Sequence, residues 1–94
     1  MNKVFIEGWV NNLQSKKLPH NVDEATFQIK TRKIVGKKEC DKREYDYIPC
    51  HVRGKKATNI IENISDDARV YIWGRMYFDE EEKMTVAVDE IEFL

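Results

Sequence analysis

Tyr45-Asp46-Tyr47-Ile48-Pro49-Cys50-His51-Val52-Arg53 is followed, after a glycine and two lysines, by Ala57-Thr58-Asn59-Ile60-Ile61-Glu62-Asn63-Ile64, and between them the hydrophobic period changes. In the first stretch Ile48, Cys50 and Val52 alternate with Tyr45, Tyr47, His51 and Arg53, the period of two that a half-buried strand requires. In the second, Ala57, Ile60, Ile61 and Ile64 fall at i, i+3, i+4 and i+7, the stripe of a short amphipathic helix. Pro49 falls on the outer set and lacks an N–H, which predicts an edge or a bulge there.

Upstream, Val4, Ile6 and Val10 share one face of a first strand, and Gly8 between them suggests a bend or bulge. Asn11 to Glu24 is polar, contains Pro19, and reads as a loop or irregular edge. Ala25 to Ile34 alternates again, with Phe27 and Ile29 inward and Gln28, Lys30 and Arg32 outward. Gly36 to Arg43 is a charged loop. Downstream, Ser65-Asp66-Asp67 ends the helix. Ala68 to Phe78 returns to period two, with Val70, Ile72 and Met76 on one face and Tyr71, Trp73, Arg75 and Tyr77 on the other. Asp79 to Lys83 is a polar turn. In the last strand Val86 and Val88 are in phase and Ile91 is not, so a bulge is expected near Asp89 and Glu90.

The order is three strands, a helix and two strands. This predicts an all-β OB-fold, a five-stranded Greek-key barrel with one short helix between strands 3 and 4 plugging an end. An SH3-like barrel has a similar strand count, but its connection before the last strand is usually a single turn. The chain has 94 residues, so one domain over 1–94 is expected. A chain this short buries about 60–65% of its unfolded surface, enough for one small core.

Net charge is −1, but it is unevenly spread. Residues 1–56 carry 13 basic and 7 acidic side chains; residues 57–94 carry 3 and 10. Such asymmetry suggests a polyanionic partner, or pairing between the halves or between subunits. No signal peptide is visible and no apolar run approaches the roughly 20 residues that span a bilayer. The expectation is a cytoplasmic protein without a membrane partner, its two cysteines, Cys40 and Cys50, reduced.

An extended single nucleic-acid strand is held by cations along its phosphates and flat rings against its bases. The outer faces of strands 2 to 4 offer both. Lys30, Arg32, Lys33, Lys37 and Lys38 come from strand 2 and the loop beyond. Tyr45, Tyr47, His51, Arg53 and Lys55 come from strand 3 and its end, and Arg75, Tyr77 and Phe78 from strand 4. Arg53 can also stack. Outer-face aromatics equally suit a subunit interface. Phe5, Tyr71 and Trp73 are assigned there; Trp9, placed with them, fits either role.

Cys40, Cys50, His20 and His51 do not have the spacing of a zinc knuckle, and Cys50 and His51 point to opposite faces of one strand. No metal or other cofactor is expected. The sequence holds no phosphate-cradling glycine loop, nucleophile elbow or metal-binding helix pair, so no enzymatic activity is expected. The acidic run Asp79 to Glu82 reads as a solvated turn.

The chain resembles bacterial and phage single-stranded DNA-binding proteins in five segments taken in order. These are Met1-Asn2-Lys3-Val4-Phe5-Ile6-Glu7-Gly8, Ala25-Thr26-Phe27-Gln28-Ile29-Lys30, Asp46-Tyr47-Ile48-Pro49-Cys50-His51-Val52-Arg53-Gly54-Lys55, Val70-Tyr71-Ile72-Trp73-Gly74-Arg75-Met76 and Glu90-Ile91-Glu92-Phe93-Leu94. The resemblance implies an OB-fold assembling as a dimer or, more typically, a homotetramer. It implies binding of single-stranded DNA with little sequence preference in replication, recombination and repair, alongside proteins of those processes. By position, Tyr47 resembles a base-stacking aromatic, Lys55 the basic residue after the strand-3 glycine, and Phe78 another stacking position. Arg53 stands where the family often has an aromatic, and the last hairpin is short and acidic where the family's is longer and often basic. The sequence stops at Leu94, before the family's flexible tail and acidic tip. A phage or mobile-element variant, a primosomal-protein-like relative or a truncated form is expected. The alternative is an OB-fold protein-interaction module with weak or no DNA binding.

Overall fold

The computed structural model describes residues 2–32 and 44–94. Lys33, Lys37, Lys38 and Cys40 lie outside the described residues, as does the whole of the charged loop expected over Gly36 to Arg43. The elements are β1 (Val4–Leu18), a 3-10 turn (Pro19–Asn21), β2 (Val22–Arg32), β3 (Tyr45–Arg53), α1 (Lys55–Asn63), β4 (Arg69–Phe78) and β5 (Met84–Phe93). The strands close a barrel in the order β1-β2-β3-β5-β4, as expected of an OB-fold. All neighbours are antiparallel except β3 and β5, which meet in parallel at Cys50–Val86 and His51–Ala87.

The inward sets form the core. Val10, Phe27, Ile29, Cys50, Val52, Val70, Ile72, Val86 and Val88 are buried with Ala57, Ile60 and Ile64 of the helix stripe. Ile61 is only half-buried and packs at the margin. The turn into α1 is made at Gly54, whose φ of 89° is a backbone region that side chains disfavour. Its N–H donates to Asp23 O at 2.9 Å, tying the helix start to β2.

β1 closes the barrel because it serves two neighbours. It pairs with β4 from Val4 to Trp9 and with β2 from Trp9 to Leu18. Gly8 sits at the changeover, where a Cβ would lie 2.4 Å from Lys30 O, so only a residue without a side chain lets the strands approach.

Three sequence expectations meet different outcomes. The bulge in β5 is present: Trp73 pairs with Glu90 and Gly74 with Val88, leaving Asp89 extra. The loop expected over Asn11 to Glu24 is instead the extension of β1, the 3-10 turn and the start of β2. Its register shifts between Asn11 and Gln14, with Asn12 at φ 56°. Both faces of this hairpin are largely solvated, so the sequence needs no apolar alternation there. Met76, expected inward, is 42% exposed. β1 reaches β4 only as far as Gly74, so beyond it the strand lacks that neighbour, and the Asn2 side chain bonds the Met76 backbone instead.

Candidate nucleic-acid interface

Directly paired residues on neighbouring strands share a face. The registers therefore build a ladder across the outside of β1, β2 and β3. Its rungs are Trp9–Lys30–Tyr47, Asn11–Gln28–Pro49, Gln14–Thr26–His51 and Lys16–Glu24–Arg53. Lys30, Tyr47, His51 and Arg53 thus lie on one surface, and Tyr47 to Arg53 spans about 20 Å at the rise of a strand. Tyr47 is 49% exposed and stands over no other ring among the described residues.

At the top of the ladder Tyr45 packs edge-on to Trp9, with ring centroids 6.4 Å apart, and Lys30 Nζ stands 4.2 Å from the Tyr45 centroid. Arg69 covers Trp9 at 5.6 Å. This is an arrangement of alternating rings and cations. Trp9, for which two roles were open, packs here and not with Phe5, Tyr71 and Trp73. Arg32 is exposed at the end of β2, opposite Tyr45.

At the bottom a groove of about 350 Å³ opens between the ladder and the β4–β5 hairpin, bordered by His51, Arg53 and Tyr77 among others. Tyr77 Oη lies 2.9 Å from His51 Nε2, with the two rings perpendicular, so each fixes the other. Burial pushes the His51 pKa below its usual 6.5; the Arg53 charge adds to this, and Glu24 partly opposes it. Arg53 Nε donates to Glu24 Oε2 at 2.8 Å, and that carboxylate raises the Arg53 pKa further.

The remaining predicted residues are dispersed. Arg75 lies on the outer face beyond β5 and pairs with Asp89 at 3.3 Å. Lys55 is exposed at the first position of α1. Phe78, 67% exposed, follows Tyr77 directly and points to the opposite face of β4, so it does not join Tyr77 in the groove. Exposed Phe5 and Trp73 and half-buried Tyr71 form a separate cluster on β1 and β4, with centroids 5.1 to 6.3 Å apart.

Glu24, Thr26, Gln28, Asn11 and Lys16 stand on the same ladder and were not among the predicted site residues. The outward phase of β2 already marked Gln28 and Lys30 as neighbours, but Asn11 and Lys16 lay in the stretch read as loop. Cys50 is buried, and burial pushes its thiol up to about 12, which disfavours the thiolate at neutral pH. Among the described residues no three His, Cys, Asp or Glu side chains gather as a metal site, and no helix is long and apolar enough to cross a membrane.

A closed five-strand barrel with the helix between β3 and β4 and a cation–ring ladder outside it agrees with the comparison with known families. The family described as the single-strand binding protein family matches residues 1–94, the whole chain. The chain belongs to the single-strand binding protein family. No curated protein matches it in sequence. As a single-strand binding family protein its general activity is binding single-stranded DNA. The family membership and the barrel bear out the resemblance seen in the five segments.

Proposed function

We propose that this chain binds single-stranded DNA with little sequence preference through the ladder of β1, β2 and β3, protecting or presenting the strand during replication, recombination or repair. The observation that carries this reading is the shared surface of Lys30, Tyr45, Tyr47, His51 and Arg53. Rings accept bases of any identity, because every base has a π-face, and the cations follow the phosphates. Lys33, Lys37 and Lys38 would extend the basic track. The task is binding and not catalysis.

The cluster of Phe5, Tyr71 and Trp73 supports self-association of the barrel as a dimer or tetramer. The same cluster, with the acidic turn Asp79 to Glu82 nearby in sequence, favours a second reading in which the chain is chiefly a protein-interaction module.

Titration with an unstructured oligonucleotide, followed by tryptophan emission, separates the two. The first reading expects emission to change and affinity to fall with salt at a log–log slope of about −3 for four or five phosphate contacts. Absence of oligonucleotide binding at low salt favours the interaction module. Sizing chromatography with and without a long oligonucleotide gives the assembly state.

A further inference from the structure

His51 stands on the third rung of the ladder, opposite Thr26 and two residues from Arg53 on the same face of β3. It is half-buried in the wall of the groove, and each strand around it presents a polar group there. β1 brings Gln14, β2 brings Glu24 and Thr26, β4 brings Tyr77 with Asp79 just beyond its end, and β5 brings Thr85. Both carboxylates are already engaged. Glu24 accepts from Arg53 Nε at 2.8 Å, and Asp79 Oδ1 accepts from the backbone N–H groups of Glu81 and Lys83 at 2.9 Å. Tyr77 Oη lies 3.1 Å from His51 Nδ1 and 2.9 Å from Nε2.

We propose that His51 couples the hold on single-stranded DNA to pH: the complex takes up a proton on this imidazole, so mild acid tightens binding. The proposal rests on the single-stranded-DNA reading above and adds a regulation of the same surface. Lys30 and Arg53 are permanent cations at physiological pH, whereas an imidazole is a cation that can be switched on within it.

The coupling follows from what keeps the free imidazole neutral. Burial disfavours the imidazolium, the Arg53 charge disfavours it further, and Glu24 works the other way. A phosphate seated at Arg53 offsets that positive charge and puts a negative one on the same face. Protonation of His51 is therefore easier with DNA than without it. Linkage makes this reciprocal, so the charged ring binds DNA more tightly. At pH well above 6.5 the ring is neutral in both states and affinity does not depend on pH. As pH falls the complex takes up the proton first and affinity climbs, levelling off once the free chain is protonated as well. The contact with Tyr77 survives the change, because a tyrosine hydroxyl accepts as well as donates. An imidazolium only donates, so Tyr77 Oη becomes its acceptor and the hydroxyl hydrogen is free to turn into the groove.

The test measures affinity for an oligo-dT strand, whose bases do not titrate in this range, at pH 7.5, 6.5 and 5.5 for the native chain and His51→Gln. Circular dichroism confirms the fold at each pH. Native affinity should rise about fivefold or more from the highest pH to the lowest, the lower end of the usual coupling between two sites. Its log–log salt slope should steepen by about 0.7 as one cation is added. His51→Gln should show neither change. Calorimetry of the native chain in two buffers of different ionisation heat reads the proton uptake without any variant, and should find a fraction of a proton bound per chain. Native affinity and proton uptake that do not respond to pH overturn the proposal. So does a rise of equal size in His51→Gln, which would place the proton on Glu24 or Asp79. Absence of binding at every pH would instead overturn the single-stranded-DNA reading, before any pH dependence is compared.

Discussion

Glu24 and Arg53 face each other across β2 and β3 and join through a 2.8 Å contact on the last rung of the ladder, beside Lys16. The Glu24 side chain is 12% exposed and the Arg53 side chain 64%, so the carboxylate is sheltered and the guanidinium presents itself to solvent. A phosphate approaching Arg53 meets the Glu24 charge as well.

Replacing Glu24 by Gln should therefore strengthen single-stranded-DNA binding at low salt. It should also steepen the salt dependence by about 0.7 in log–log slope if Arg53 gains one phosphate contact. Equilibrium titration at four salt concentrations reads both quantities. An affinity that falls with an unchanged slope would mean that Arg53 works only while Glu24 holds it.

Tyr47→Ala should weaken DNA binding by about 1–3 kcal/mol, the worth of one base–ring stack. Thermal stability should hardly move, because the ring is half-exposed and its pairing partner Lys30 adds only a cross-strand contact. Parallel loss of melting temperature and affinity would show that the ring supports the barrel and does not serve a base.

His51 titrates below its usual 6.5 in the folded chain, from burial and from Arg53. The unfolded chain takes up the proton first as pH falls, so the contribution of this group to stability is constant above about 6.5 and is lost as pH drops from there through the lowered folded value. Its surroundings are Glu24 and Thr26 of β2, Arg53 of β3, Tyr77 of β4 and Thr85 of β5, with Asp79 bordering the same groove; Glu24 is already held by Arg53. Urea midpoints measured between pH 7.5 and 5 should fall for the native chain and fall less for His51→Gln. Identical pH profiles would contradict the neutral, half-buried imidazole.

Gly8→Ala should destabilise the barrel by about 1–3 kcal/mol or more, the usual range for forcing extra volume into packed structure. Its Cβ would meet Lys30 O at 2.4 Å and Ile29 Cγ2 at 2.7 Å, and the first is backbone held in the β1–β2 ladder. Denaturant unfolding gives the number; a variant as stable as the native chain would mean that the strands separate at little expense.

Ile60→Ala should lower stability by about 2–5 kcal/mol, whereas Ile61→Ala should lower it by less. Ile60 is 1% exposed inside the barrel end, and Ile61 is half-buried at its margin. Equal losses from the two would mean that the helix is rotated from this arrangement.

The stripe Ala57, Ile60, Ile61, Ile64 and the alternations in β2, β3 and β5 were legible because each depends on neighbours in sequence: a strand turns its side chains by period two wherever it lies. The slip at Ile91 exposed the β5 bulge for the same reason. Asn11 to Leu18 was illegible because a strand whose two faces both meet water leaves no apolar alternation. Met76 misled because alternation gives the face of a strand but not where the layer beneath it ends.

By itself, the sequence determined which side chains of β2 and β3 leave the barrel and which enter it, and hence that their rings and cations share its outside. Only the tertiary structure decided which of them meet. Glu24 reaches Arg53, Asn11 reaches Gln28 and Tyr77 reaches His51 across 29, 17 and 26 residues of chain. These meetings are fixed by strand register and barrel closure, which arise from pairing between distant segments and are not inscribed in any one of them.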